Sequence, residues 1–321
     1  MKKVLFTLIF GFSALFAFAQ EPAVYAQYQL FPVLINPGYT GFQDKHEFLL
    51  NARRTWAGFP GSPSTYTFMY NGPVGDKLAL GGGLFSEKAG SVNTLRLQLN
   101  YAFRFRIQKA QIGLGLSTEF LRRNANGDLL EPTPVLDPND EVLEGAVEGQ
   151  RFFDASVGAF VMYDERFFAG LSLPNTIRAR LDEIPTSNSG GNNTNNNGGL
   201  FQFYIFQMGY ILNVESQNFK IIPSLALRNV RDVPYQIDFN VQGRFLDDKL
   251  IGGLTFRPQS SNSMVTCLIG TKYKGAQLYY SYDVSFGNFQ QYNSGSHELS
   301  VAFALDRKAP KPAPEATEIY K

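Results

Sequence analysis

Residues 94–106 read TLRLQLNYAFRFR, with Leu95, Leu97, Leu99, Tyr101, Phe103 and Phe105 in every second place and Arg96, Gln98, Asn100, Arg104 and Arg106 between them. Side chains of a β-strand point to opposite faces with period two, so this run is a strand with one apolar face and one polar, basic face. Two environments accommodate such a strand. In a soluble antiparallel sheet the apolar face packs on a protein core and the arginines meet water. In a transmembrane barrel the apolar face meets lipid and the polar face lines a closed interior.

The alternation recurs nearly to the end of the chain, in 112–120, 235–245, 278–286 and 299–305, and almost nothing reads as helix. Strands are predicted at 46–56, 63–71, 77–87, 91–106, 110–122, 151–164, 166–173, 200–214, 218–229, 233–246, 249–257, 263–273, 276–286 and 296–306. That is about fourteen, an even number, as bacterial barrels require. The joints decide between the two environments. Every other one is short: 72–76, 108–109, 164–165, 215–217, 247–248 and 274–275. Those between are generally longer or irregular, as at 123–150, 174–199, 258–262 and 287–295. Tight turns at one end and long loops at the other mark an outer-membrane barrel, and a soluble sandwich has no reason to sort its loops this way. The expected fold is therefore all-β, a transmembrane antiparallel barrel of about 14 strands.

Composition agrees where it bears on this. Mean hydropathy is −0.16, and past the N-terminus no run approaches the ~20 apolar residues that a helical span needs. Alternation hides the hydrophobicity of a barrel from any average. Phe (29) and Tyr (16) are abundant beside a single Trp, and aromatics furnish lipid-facing surfaces and interfacial girdles. The net charge of +1 gives no basic surface for nucleic acid. One cysteine, Cys267, excludes a disulfide scaffold and leaves none for a lipidated N-terminus.

The opening MKKVLFTLIFGFSALFAFAQ has a basic start, a short apolar run and Ala17-Phe18-Ala19 as a small-x-small cleavage pattern. It reads as an export signal over 1–19. An arm (20–45), the barrel (46–306) and a proline-rich periplasmic tail (307–321) complete the expected layout. The polar stretch 186–199, TSNSGGNNTNNNGG, reads as the disordered tip of an outer loop.

Residues for chemistry are scarce. The only histidines, His46 and His297, fall at opposite membrane faces and close no triad, so catalysis is not expected. The glycines of LALGGGLF (78–85) lack the Lys-Ser/Thr ending of a phosphate loop and read as relief of crowding or bending in a barrel wall. Cys267 alternates with Val265 and Ile269 as an inert apolar side chain. The acidic loop 124–150 offers oxygen ligands but no EF-hand spacing, so a solvated loop is the expectation, with no metal and no cofactor. Inward-facing Arg96, Asn100, Arg104, Arg106, Glu119, Asp238, Arg244, Asp283 and Glu298 either select solutes or pair across the interior and with an inserted plug.

Residues 25–42, YAQYQLFPVLINPGYTGF, are too irregular for a wall strand. Pro32 and Pro37 remove ladder donors and Asn36-Pro37-Gly38 reads as a turn. An apolar, pinned arm leading into a barrel is expected to insert in its lumen. This arm, followed by RRTWAGFPGSPSTYTF at 53–68, resembles the opening of the PorP/SprF family of outer-membrane proteins associated with type IX secretion in Bacteroidetes. That family begins with SQY-x-x-(N/F)-P-x-x-x-NP-x-Y-x-G and continues with R-x-x-W-x-G-F-x-G-x-P. Gln27, Tyr28, Pro32, Asn36, Pro37, Tyr39, Gly41, Arg53, Trp56, Gly58, Phe59, Gly61 and Pro63 match, and Ala26 stands where serine is common.

The resemblance implies a non-enzymatic barrel, set in outer-membrane lipid, that binds, helps secrete or anchors an adhesin-like surface protein. The implied partners are that secreted cargo, with its C-terminal sorting domain, and a periplasmic peptidoglycan-linked lipoprotein. From the residues themselves a general diffusion porin remains the alternative, on the strength of the mixed-charge lumen.

Overall fold

The structure is a computed structural model that describes residues 25–126, 147–181, 202–214, 218–230, 235–259 and 263–307. The acidic stretch 127–146, the polar stretch 186–199, residues 1–24 and the residues beyond Arg307 lie outside the described residues. Fifteen strand segments form one antiparallel sheet: β1 (Lys45–Arg54), β2 (Ser64–Val74), β3 (Leu78–Ala89), β4 (Val92–Ile107), β5 (Ala110–Ala125), β6 (Gln150–Tyr163), β7 (Phe167–Arg180), β8 (Tyr204–Tyr210), β9 (Leu212–Val214), β10 (Phe219–Asn229), β11 (Gln236–Phe245), β12 (Leu250–Arg257), β13 (Met264–Tyr273), β14 (Ala276–Ser285) and β15 (Ser296–Asp306). Each pairs with its sequence neighbour, and β1 pairs with β15 from Lys45↔Asp306 to Arg54↔His297, which closes the barrel.

β8 and β9 both pair with β10 in a single register, Gly209↔Ser224 and Leu212↔Ile221, so they are two pieces of one wall strand. The ladder breaks around Pro223, which has no N–H to donate. The wall therefore has the fourteen strands that the sequence pattern predicts.

Period-two patterning sorts the side chains as expected. On β4, Leu95, Leu97, Leu99, Tyr101 and Phe103 face outward, while Gln98, Asn100, Ala102 and Arg104 are buried inside. Such an exterior would be untenable in water and suits hydrocarbon. The tight turns at one end use left-handed backbone at Gln108, Asp164, Asp247 and the Lys274-Gly275 pair; positive φ at both Lys274 and Gly275 is the hairpin geometry that matches strand twist.

Some boundaries move. β7 continues to Arg180, beyond the expected 166–173, although Pro174 has no N–H to give a ladder. The register shifts between Ala155↔Ile177 and Val157↔Leu173, so β7 bulges by two residues at Pro174–Thr176 opposite Ser156, with Asn175 left-handed and its amide donating to Asp154 at 2.5 Å. β5 likewise runs to Ala125, and β3 passes to β4 through the two-residue Gly90-Ser91 joint on the long-loop side.

Candidate functional site

The lumen is filled by residues 25–44, wound into three single 3-10 turns, Gln27–Gln29, Pro32–Leu34 and Pro37–Tyr39. Two of these turns start at a proline, whose fixed φ and missing N–H suit the first helical position. Asn36 caps the third, its Oδ1 accepting from the Gly38 amide at 2.9 Å while its Nδ2 donates to the Ala159 carbonyl at 3.0 Å. Tyr25, Tyr28, Phe31, Val33, Leu34, Tyr39 and Phe42 are all buried and form the main apolar cluster of the molecule. The arm is thus the core that the wall closes around, as the sequence predicts.

Two buried carboxylates hold the start of this plug. Glu298 on β15, with 0% exposure, accepts from the Ala26 amide (2.7 Å), Arg53 Nη1 (2.9 Å) and Asn51 Nδ2 (2.8 Å). The Gln27 side chain donates to the Glu298 carbonyl (2.9 Å) and to Ser281 (3.2 Å), and Arg53 also pairs with Asp283 at 2.6 Å. The second carboxylate, Asp238 on β11, is equally buried and takes Arg257 (Nε 2.6 Å, Nη2 2.9 Å), Arg228 and the Tyr28 hydroxyl (2.9 Å). Asn240 donates back to Tyr28 Oη at 3.1 Å, and the Arg228 guanidinium lies 4.8 Å from the Tyr28 ring centroid. The adjacent Gln27 and Tyr28 therefore engage two buried carboxylates of the interior, Glu298 and Asp238.

Three arginines (53, 228, 257) face three carboxylates (238, 283, 298), so the formal charges cancel in a desolvated interior. Removing one member of such a set leaves an uncompensated buried charge, which costs about 3–5 kcal/mol.

The other end of the plug lies on bare wall. A Cβ at Gly115 would overlap the Pro37 carbonyl, and one at Gly158 would overlap Asn36 Oδ1. These strand glycines give room for backbone to approach backbone, a role sequence reading had not assigned to them. Tyr39, Phe42 and Phe160 form an aromatic cluster with centroid separations of 4.9–5.4 Å. Gly41 is left-handed, donates to Asn71 Oδ1 at 2.9 Å and receives a hydrogen bond from Arg104, which also reaches Asp44 at 3.2 Å.

The remaining sequence-singled residues divide into three places. Arg96 pairs with Glu119 at 3.4 Å inside the wall and stacks on Phe85; Asn100 is buried beside Gln98, and Arg244 holds Gln242 at 3.0 Å. Arg106 is exposed at the short-turn rim, bonded to Gln111. Of the family run, Arg53 joins the lumen network, but Trp56, Gly58, Phe59, Gly61 and Pro63 lie in the β1–β2 loop at the opposite rim. There the Trp56 amide donates to Ser296 Oγ (3.1 Å), Ala57 exchanges hydrogen bonds with Gly295 and Ser294, and Gly61 accepts from Gly90. The run fastens three outer connections together.

His46 bonds Tyr70 at one end of the barrel and His297 bonds Tyr280 at the other. Their places on β1 and β15 are eight residues apart in the shared register, roughly 26 Å at strand rise. Cys267 is exposed on the outer face. Among the described residues, no group of three or more His, Cys, Asp or Glu could hold a metal ion. Arg228 and Arg257, central to the network, were missed in the sequence. Each sits on the inward parity of a strand next to β11, but only the register sets them beside Asp238.

A closed fourteen-strand wall with an apolar exterior, sorted loops and a built-in plug defines a β-barrel of the bacterial outer membrane. The family model for the type IX secretion system membrane protein PorP/SprF matches residues 17–303, and the chain belongs to that family. No curated protein matches the sequence. Among solved structures, the monoaromatic hydrocarbon channel CymD is similar at a TM-score of 0.51 and 11% identity, over 89% of this chain and 94% of that one. Omp33 of Acinetobacter baumannii gives 0.45 and 7%, over 82% and 99% of the two chains. The Pseudomonas putida toluene transporter TodX gives 0.45 and 8%, over 89% and 95%. At such identities the similarity concerns fold alone.

Proposed function

We propose that this barrel is a non-catalytic holding or hand-over point for a secreted surface protein of the type IX pathway. The observation that carries the reading is the plug: its first residues are bonded to Glu298 and Asp238, and both carboxylates are themselves tied to wall arginines. A general diffusion porin has no use for a lumen filled by its own core. The cargo is a large adhesin-like protein bearing a C-terminal sorting domain, received on the long-loop rim, where the Trp56–Pro63 segment is fastened to neighbouring loops. Exposed aromatic surface there, at Phe59 and Tyr292, suits a protein partner. On the periplasmic side, a peptidoglycan-linked lipoprotein is the second partner. Residues 1–19 are, on this reading, an export signal removed before assembly.

The test is to tag the chain after Lys321, extract it from native outer membranes in mild detergent and identify what co-purifies. Recovery of a large secreted protein with a sorting domain, lost when the long loops are deleted, supports the reading. Recovery of the barrel alone, with stable open conductance in a planar bilayer, replaces it with a porin.

A further inference from the structure

With histidine neutral, the outward positions of β1–β6 carry four charged side chains, and all four are basic: Arg54, Lys88, Arg122 and Arg151. Each is exposed and lies within four residues of the long-loop end of its strand. At the short-turn end the same face finishes on Val74, Leu78, Ile107 and Tyr163, which are exposed and uncharged. Long cationic side chains that merely anchor a barrel at a water–lipid interface would serve both ends alike. The bias to one end therefore points to a ligand met at that end.

Arg122 and Arg151 stand directly opposite each other in the β5–β6 register, with Cα atoms about 5 Å apart. One step deeper on the same face the Phe120 and Phe153 rings meet at 5.2 Å, and exposed Leu95 on β4 lies beside Arg122. Lys88 is across β4 and one outward step further along, roughly 12 Å from Arg122 by strand spacing and rise. Arg54 continues the row two strands beyond, through Ser64. Like charges in direct opposition on a sheet are unfavourable in themselves. A phosphate seated between two guanidiniums reverses that, because each planar fork of donors matches phosphate oxygens in pairs.

We propose that this face binds a phosphorylated lipid of the outer leaflet, its phosphate between Arg122 and Arg151, its acyl chains along Phe120, Phe153 and Leu95, and Lys88 reaching its headgroup from the side. The occupant follows from the place. The basic row borders directly on wall that meets hydrocarbon, where lipid headgroups are at hand and basic side chains attract anionic ones, while the bilayer keeps a soluble acidic protein away. The inference is independent of the cargo reading, because it uses the lipid face of the wall and neither the plug nor the rim loops.

The experiment is native mass spectrometry of the full chain in detergent, titrated with lipid A as the phosphorylated probe and with diacylglycerol as the phosphate-free comparison. A saturable adduct of one lipid A per barrel is expected, at least tenfold tighter than diacylglycerol. R122Q/R151Q is expected to weaken it at least tenfold, and R122K/R151K, which keeps the charge and removes the forks, to fall between. K249Q/K274Q removes two exposed cations at the short-turn rim and is expected to leave binding within twofold of the wild type. Absence of a saturable adduct on the wild type overturns the proposal, as does equal binding to the wild type and R122Q/R151Q. An equal loss in K249Q/K274Q overturns it too, since net charge alone would then set the affinity. Diacylglycerol binding as tight as lipid A removes the phosphate, and displacement of lipid A by millimolar inorganic phosphate assigns the arginine pair to a free anion instead of a lipid.

Discussion

Glu298 accepts the backbone N–H of Ala26 at 2.7 Å across 272 residues of sequence, so the last wall strand holds the start of the plug directly. The same carboxylate meets Arg53 on the first strand. One side chain thus ties plug, first strand and last strand at the seam where the barrel closes. Glu298→Ala is expected to lower stability by about 3–5 kcal/mol, the cost of leaving one buried positive charge of the set uncompensated. Glu298→Gln keeps an acceptor but loses the charge, and its loss should be smaller. Urea unfolding of the refolded barrel, followed by the shift between folded and unfolded bands on a gel, reads both. Equal midpoints for wild type and Glu298→Ala would remove the seam role.

Tyr28 separates into a hydroxyl and a ring. Tyr28→Phe leaves the ring under Arg228 but strips a donor from Asp238 and leaves Asn240 Nδ2 without that acceptor. The expected loss is about 1–3 kcal/mol. Tyr28→Ala also opens a void in the middle of the plug and should cost about 3–5 kcal/mol, by analogy with other buried aromatics. Only the alanine variant is expected to raise ion leakage in bilayer recordings; leakage from Tyr28→Phe would mean that the hydrogen bonds, and not the filled volume, make the seal.

Removing residues 22–42 takes away the plug's share of the apolar cluster and every plug contact to Glu298 and Asp238. The deleted barrel is expected either to conduct ions or to fail to fold. A deletion that folds with wild-type stability and stays closed would show that other parts of the chain seal the lumen.

At the short-turn rim, Lys109 donates to Asp164 at 2.9 Å, which holds the Asp164 carboxyl below its usual range and the Lys109 ammonium above its own. The depressed carboxyl contributes stability that is present above its unfolded pKa and fades only as pH falls through the folded value. The raised ammonium contributes below its unfolded pKa and fades as pH rises through the folded value. Both groups are exposed and screened. Unfolding midpoints at pH 5, 7 and 9 should therefore be unchanged by Lys109→Ala. A pH-dependent drop confined to this variant would assign the pair a structural weight that surface ion pairs rarely have.

The wall was legible because lipid imposes one rule on every strand: Leu95 to Phe105 face out in alternation for the same reason that Leu299 to Leu305 do. The sorting of tight turns and long loops was legible as well, since Lys274-Gly275 and its counterparts have turn chemistry of their own. The plug was anticipated from Pro32, Asn36 and Pro37, which forbid a ladder. What it touches was less legible. Asp238 gives no sign in one dimension that Arg228 and Arg257 flank it, because that needs the register of two neighbouring hairpins. Gly115 and Gly158 look like any strand glycine until the plug is laid against them. The bulge at Pro174–Thr176, opposite Ser156, hid the far half of β7 in the same way, since Pro174 normally ends a strand.

Those wall glycines make a sharp test of the plug bed. At Gly115 an added methyl meets the Pro37 carbonyl, which is backbone held by the Asn36 cap and cannot swing aside as a flexible side chain would. At Gly252 on β12 the nearest atom to an added methyl is 3.9 Å away, an ordinary contact. Both positions are strand residues, so both changes carry the same backbone gain of Gly→Ala, about 0.5–1 kcal/mol. Gly252→Ala should show that gain. Gly115→Ala should instead lose about 1–3 kcal/mol, as overpacking does, and should shift the third turn of the plug away from β5. Urea midpoints report the first effect. Distances between spin labels at residue 40 and on the outer end of β5 report the second. If Gly115→Ala is as stable as Gly252→Ala and the label distance is unmoved, the plug does not rest on that strip of wall.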